Sequence, residues 1–248
     1  MKRDGMARGL VVTGALSAVV IAGAACVLLR VVTKEAKPVP PQHTDSRTEA
    51  PAVAKKTPAP TAENRFFVLK PGYELVLEGG NEKVVMTVLD ETKQIGETTT
   101  QIVEEREEKD GELAEVSRNY YAVSEKTGDV WYFGEDVQIL KDGKVVSNSG
   151  SWRAGEKDAK PGLMMPGAPS HGLKYSQENA PGEAMDRVEI VGMDETIKTP
   201  AGTFTQCVKT EETSALRPEE KSIKTYAPGI GLVQDKDLLL TRYRLVNK

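Results

Sequence analysis

The sequence predicts a mainly β protein. The expected form is a large curved antiparallel sheet, half-barrel or partly open barrel, behind an N-terminal transmembrane or signal helix and a disordered linker. Three observations predict it. From Arg65 onward apolar and polar residues alternate in short runs, and none keeps a 3.6-residue apolar period through three turns. Turn dipeptides such as Asp110-Gly111 and Asp142-Gly143 separate the runs at hairpin spacing. Strands this short, joined by short turns, pair antiparallel, and a large antiparallel sheet must curl or close to protect its edges. The chain of 248 residues, 39% apolar, is long enough to bury one core, and its 2 Cys cannot make a disulfide scaffold.

Residues 1–32 read as a membrane signal. Lys2, Arg3 and Arg8 precede Leu10–Val32, in which Arg30 is the one charge. At about 1.5 Å per helical residue, Leu10–Leu29 alone reaches roughly 30 Å, one bilayer core. Three fates are open: an uncleaved signal anchor, a signal peptide cut near Ala22–Ala25, or a lipoprotein acylated at Cys26. Ala24-Ala25-Cys26 fits lipidation, but Gly23 stands where an aliphatic residue is usual. Val27-Leu28-Leu29 carries the apolar run past every cut, which favours the anchor. All three place the rest of the chain outside the cytoplasm. The expected location is the cell membrane as a single-pass protein, or a secreted or lipid-linked form after processing.

Residues 33–64 read as a spacer. Pro38, Pro40, Pro41, Pro51, Pro58 and Pro60 stand among Ala, Thr and Lys, with no aromatic residue. Such a stretch buries too little apolar surface to offset its chain entropy, and proline keeps it extended.

Residues 65–248 form the expected β domain. Tyr73–Glu78 and Lys83–Leu89 read as a hairpin around Gly79-Gly80-Asn81, and Lys93–Glu108 as one longer strand. Leu113–Val123 returns after Asp110-Gly111. Val130–Phe133 and Val137–Leu140 follow, then Lys144–Val146 after Asp142-Gly143. Gly150–Pro181, rich in Gly and Pro, reads as a long irregular segment with a short strand at Leu163–Met165. The remaining strands are expected at Met185–Val191, Thr196–Thr199, Phe204–Glu212, Lys221–Tyr226, Gly231–Gln234 and Leu238–Leu245.

Five segments, in order, carry a family resemblance: Phe67–Tyr73 with Glu78-Gly79, Gly128–Asp136, Pro161-Gly162 with Met165-Pro166, Pro200–Phe204 with Cys207, and Tyr226–Val233. Through them residues 65–246 resemble a family of uncharacterised bacterial exported, membrane-tethered β-rich proteins. The resemblance implies an exported β-rich single domain and carries no activity and no catalytic residues. Families of envelope lipoproteins with an open, lipid-holding β-barrel are similar in strand-rich layout alone, which does not fix function.

Charge excludes one class of partner. Residues 1–64 hold 9 Lys/Arg against 5 Asp/Glu, whereas residues 65–248 hold 24 against 32. A folded part this acidic is repelled by a phosphate backbone, so nucleic acid is not an expected partner. Residue types for catalysis are scarce. His171 is the one histidine after the spacer and reads as a loop residue, and no Gly-x-Ser-x-Gly elbow or phosphate-binding glycine loop occurs. Neither a metal nor a cofactor is expected.

In a strand, Trp131 and Phe133 share one face and Tyr132 takes the other. Trp131, Phe133, Met164 and Met165 are the candidate ligand-binding residues, an aromatic wall and soft side chains for an apolar or lipid ligand. Asp129, Glu135, Asp136 and Asp142 match no EF-hand spacing and read as solvated turn acids. Glu104, Glu105, Glu107 and Glu108 around Arg106 read as a solvated face or edge guard. Cys207 reads as a partly buried free thiol. The expected protein is a non-catalytic binding protein of the cell envelope. The alternatives are a structural or protein-partner module and a carboxylate-dependent hydrolase.

Overall fold

The computed structural model describes residues 63–246. The expected membrane signal, nearly all of the spacer and the Cys26 lipidation site lie outside them. Among the described residues every regular element is a strand: β1 (Tyr73–Gly79), β2 (Glu82–Ile95), β3 (Thr98–Lys109), β4 (Glu112–Val123), β5 (Val130–Lys141), β6 (Lys144–Ser147), β7 (Trp152–Arg153), β8 (Gly162–Met165), β9 (Lys174–Ser176), β10 (Asp186–Thr199), β11 (Gly202–Ser214), β12 (Arg217–Ala227), β13 (Gly231–Asp235) and β14 (Leu238–Leu245). No helix among the described residues is long and apolar enough to cross a membrane.

The strands form one open, unclosed antiparallel sheet in the order β6-β5-β4-β3-β2-β1-β14-β13-β12-β11-β10-β9. The first and last strands lie side by side, with Tyr73 opposite Leu245. On its far side β5 is shared along its length. Ile139–Lys141 pair with β6, Gly134-Glu135 with β7 and Val130–Tyr132 with β8.

Two hairpins show why the turn dipeptides were informative. Asp110 and Gly111 have φ of 54° and 80°, and Asp142 and Gly143 have 52° and 70°. Two successive positive φ values define the type I′ turn, whose twist matches the flanking strands.

The expected Lys93–Glu108 strand is two strands, because the chain turns at Gly96-Glu97 between β2 and β3. Conversely, Val130–Phe133 and Val137–Leu140 are one strand, and so are Met185–Val191 and Thr196–Thr199. In β10 the irregular middle is absorbed by register shifts between Ile190 and Ile197, so a lapse in alternation is a bulge there and not a strand end.

The sheet curls around its core. Leu77, Val130, Met165, Ile190, Val208, Val233 and Leu240 are fully buried within a single cluster that draws on both halves of the sheet. Phe67 packs edge-on to Tyr121 at 5.0 Å, Tyr121 stacks on Tyr132 at 4.7 Å, and Tyr132 meets Trp152 edge-on at 5.2 Å. Asn64 holds the leading segment over this stack. Its Nδ2 donates to the carbonyl oxygen of Gly128 at 2.7 Å, and its Oδ1 accepts from the Phe66 amide at 2.8 Å. The segment after β9 lies against β8 so closely that a Cβ on Gly162 would stand 1.9 Å from the Gln177 carbonyl oxygen. Only glycine allows that approach, and it brings Glu178 against the interior.

Candidate functional site: a carboxyl-lined chamber

Strand alternation fixes which side chains face inward, and the inward set includes an unusual number of ionisable groups. On β3 the inward series Gln101, Val103 and Glu105 is buried. On β4 it is Glu115, Ser117, Asn119 and Tyr121. β5 contributes Tyr132 and, past a register shift against β4 that breaks its alternation, Glu135; the segment after β9 contributes Glu178, β11 Glu212, β12 Lys224 and Tyr226, and β13 Asp235. The walls of a cavity of about 40 Å³ are drawn from Glu105, Glu115, Glu135, Glu178, Asp235 and Lys224, with Tyr121, Tyr132, Tyr226 and Met164 between them. A space of this size takes about three waters.

Lys224 is the one cation in the wall. Its Nζ is 2.9 Å from Glu212 Oε2 and 3.7 Å from Asp235 Oδ2, and Ser222 Oγ donates to Asp235 Oδ1 at 3.3 Å. Burial works against the ammonium, but the Asp235 and Glu212 carboxylates outweigh it and hold Lys224 well above the ordinary lysine range. Across the chamber, Tyr132 OH donates to Asn119 Oδ1 at 2.6 Å, and Asn119 Nδ2 donates to Ser117 Oγ at 2.9 Å. These pairs lock the polar side chains of β4 and β5 in place.

Among the described residues the other carboxyls have no ion-pair partner, although Glu135 shares a hydrogen bond with Tyr132 and Glu178 one with the Asp186 backbone. Glu105 Oε1, Glu135 Oε1 and Glu178 Oε1 are buried and accept no hydrogen bond. Desolvation disfavours their charged forms. Burial, reinforced by Asp235 and Glu115 and opposed by Lys224, pushes Glu105 up to about 8. Burial raises Glu115 to about 7. Burial, together with the neighbouring Glu178, Glu115 and Glu105 carboxyls, drives Glu135 well above the carboxylate range. Glu178 is driven the same way by burial and Asp186, with Lys224 opposing. At neutral pH several of these groups are therefore neutral acids, able to donate as well as accept.

Glu115 also lines a second hollow of about 190 Å³, formed with Glu82, Lys83, Glu107, Glu108 and Ile139 at the β2–β4 end of the sheet. There Glu107 is raised to about 10 by burial and by Glu105 and Glu115. Glu115 is thus common to this hollow and the chamber.

Two sequence expectations are corrected here. Glu105 does not lie on a solvated face: it is 4% exposed, because β3 continues its inward series through Val103 into Glu105. Glu135 is not a turn acid: it is 1% exposed within β5, where the register shift against β4 around Gly134 turns it to the same side as Tyr132. Asp136 does face outward, held below the usual aspartate range. Burial opposes that shift, but a hydrogen bond from Tyr120 and the Arg153 and Lys93 cations outweigh it.

The four candidate ligand residues are divided by the sheet. Met164 lines the chamber and Met165 is fully buried beside it. Trp131 is 37% exposed, and Phe133 packs against the small cluster of Ile95, Ile102 and Tyr120. Tyr132, between them, is the aromatic residue that faces the chamber. Cys207 is a free, fully buried thiol, and His171 is exposed on its loop.

The sequence matches no protein-family model and no curated protein. Among solved structures, one described as that of a "putative lipoprotein" from Parabacteroides distasonis aligns over 73% of this chain and 100% of its own. The identity is 14% and the TM-score 0.38.

Proposed function

We propose that the protein is a membrane-tethered, extracytoplasmic, non-catalytic binding protein of the cell envelope whose receptor site is the carboxyl-lined chamber. One observation carries the reading: Glu105, Glu135 and Glu178 all stand in the wall of one cavity, and each keeps a buried oxygen without a hydrogen-bond partner. Buried polar atoms are almost always paired, and each unpaired one costs about 1–3 kcal/mol, so three together mark acceptors reserved for something outside the chain. Tethering is supported by the Leu10–Val32 apolar run and the proline-rich residues 33–64.

A second reading, a protein partner that adds a strand, is favoured by β6. This short edge strand exposes Val145 and Val146, at 49% and 60%. Native mass spectrometry of the full chain, released gently from its own host membranes, separates the two. A small bound mass that is lost on denaturation is the expected result. A protein mass that Val145→Lys removes would favour the edge-strand reading. A clean apo mass would contradict the binding reading.

A further inference from the structure

The geometry points to a ligand class for the chamber: a compact N–H cation, a single ammonium group, that enters past Glu115 and displaces a proton from the buried carboxyls. This rests on the binding reading above and adds the chemistry of the ligand.

The wall supplies what an ammonium group needs. It needs hydrogen-bond acceptors, and Glu105, Glu135 and Glu178 each offer one oxygen that no donor in the chain uses. The Tyr121 and Tyr132 side chains border the same space, packed against Phe67 and Trp152. A neutral apolar molecule would leave these acceptors unpaired, and an anion would be repelled by the Glu212 and Asp235 carboxylates at the same wall. Among the described residues no three Asp, Glu, His or Cys side chains are grouped to hold a metal ion, so the carboxyls border the space singly, and an N–H donor can be met by one of them without a full coordination shell. Lys224 does not fill the role itself, since its ammonium is engaged by Glu212 and Asp235 at the β11–β13 wall.

Glu115 marks the way in. It borders both the chamber and the 190 Å³ hollow, in which Lys83 and Lys109 are already paired with Glu108 and Glu82 while Glu107 and Glu115 have no cation among the described residues. The groups that face the invoked carboxyls come from every surrounding strand. They are Glu107 on β3, Glu115 on β4, Glu212 on β11, Lys224 on β12 and Asp235 on β13, with Asp186 beside Glu178. Burial keeps Glu105 and its neighbours protonated in the empty chamber at neutral pH. A bound cation reverses that preference: one carboxyl ionises, one proton leaves to solvent, and the net charge of the chamber is unchanged. No covalent bond forms or breaks.

The test is a proton-release titration of the full chain in weak buffer at about pH 7, with methylammonium chloride, tetramethylammonium chloride and calcium chloride as separate probes, each preset to the same pH. For a ligand with two heavy atoms, half-saturation is expected near 10 mM, on the order of the ceiling for very small ligands. Methylammonium is expected to release close to one proton per chain, with affinity falling about tenfold for each pH unit of acidification. Tetramethylammonium, which has no N–H, is expected to release none. The double variant Glu105→Gln/Glu178→Gln is expected to abolish the release while melting no lower than the parent, which shows that it folds.

Equal release by both ammonium salts would overturn the assignment as an ionic-strength effect. Release by calcium and not by methylammonium would overturn it in favour of a metal ion. Release that persists unchanged in the double variant would overturn it by placing the proton elsewhere. Absent release, with a small ligand present in the native mass spectrum, would overturn the ammonium assignment alone. Absent release with a clean apo mass would overturn the binding reading as well.

Discussion

Lys224→Ala is expected to destabilise the protein by about 3–5 kcal/mol, the usual effect of removing one partner from a buried ion pair. Lys224 and Asp235 are 5% and 1% exposed, and Glu212 is 6% exposed, so bulk solvent does not replace the lost ammonium. The carboxyls of Glu212 and Asp235 would then face each other and the raised Glu105 without a counter-charge. Urea denaturation checks this as a lower transition midpoint at an unchanged slope. The loss comes from stranded charge rather than missing bulk, so Lys224→Met/Glu212→Gln/Asp235→Asn is expected to recover most of it. If the triple variant were as unstable as Lys224→Ala, packing of the lysine stem would be the larger cause.

Glu105→Gln is expected to act in the opposite direction and to do so only above acid pH. The folded protein holds the Glu105 proton up to about pH 8, against an ordinary value of 4.5, so between those limits the folded state binds more protons than the unfolded one. Stability from this group is therefore full below about pH 4.5 and is lost as pH rises through about 8. The upper limit of that slope is about 1.4 kcal/mol per pH unit for one group. Glutamine keeps the neutral shape and has no proton to lose. The variant is expected to match the parent near pH 4.5 and to exceed it by on the order of 1 kcal/mol for each pH unit above that. Thermal melts across that range check the divergence; curves that stay parallel would contradict it.

The scaffold was more legible in the sequence than the site, for a physical reason. Turn chemistry and alternation are local, so Asp110-Gly111, Asp142-Gly143 and the short strand at Leu163–Met165 could be read directly. Which face of a strand points inward is not local for polar residues. Glu104, Glu105, Glu107 and Glu108 look like one charged run, and only the pairing of β3 with β2 and β4 turns Glu105 inward. A usable signal was present: counting in twos from Val103 puts Glu105 on the core face, and counting back from Tyr226 does the same for Lys224. The general preference for solvated acids outweighed that count, as did the aromatic prominence of Trp131 and Phe133 over Tyr132. Glu178 gave no comparable signal, since it lies beyond a three-residue strand and reaches the chamber through the close approach of Gly162 to Gln177.

The most direct test of the chamber as a reservoir of neutral acids is ¹³C NMR of the glutamate side-chain carboxyls across a pH titration of the full chain. Single Glu→Gln variants would assign Glu105, Glu135 and Glu178. The predicted result is that these three still show carboxylic-acid shifts near pH 6, where exposed glutamates are ionised, with Glu105 turning at about 8. If all three titrated with the exposed glutamates, the chamber would be a solvated space lined by ordinary carboxylates, and the account of it as a reserved binding site would be wrong.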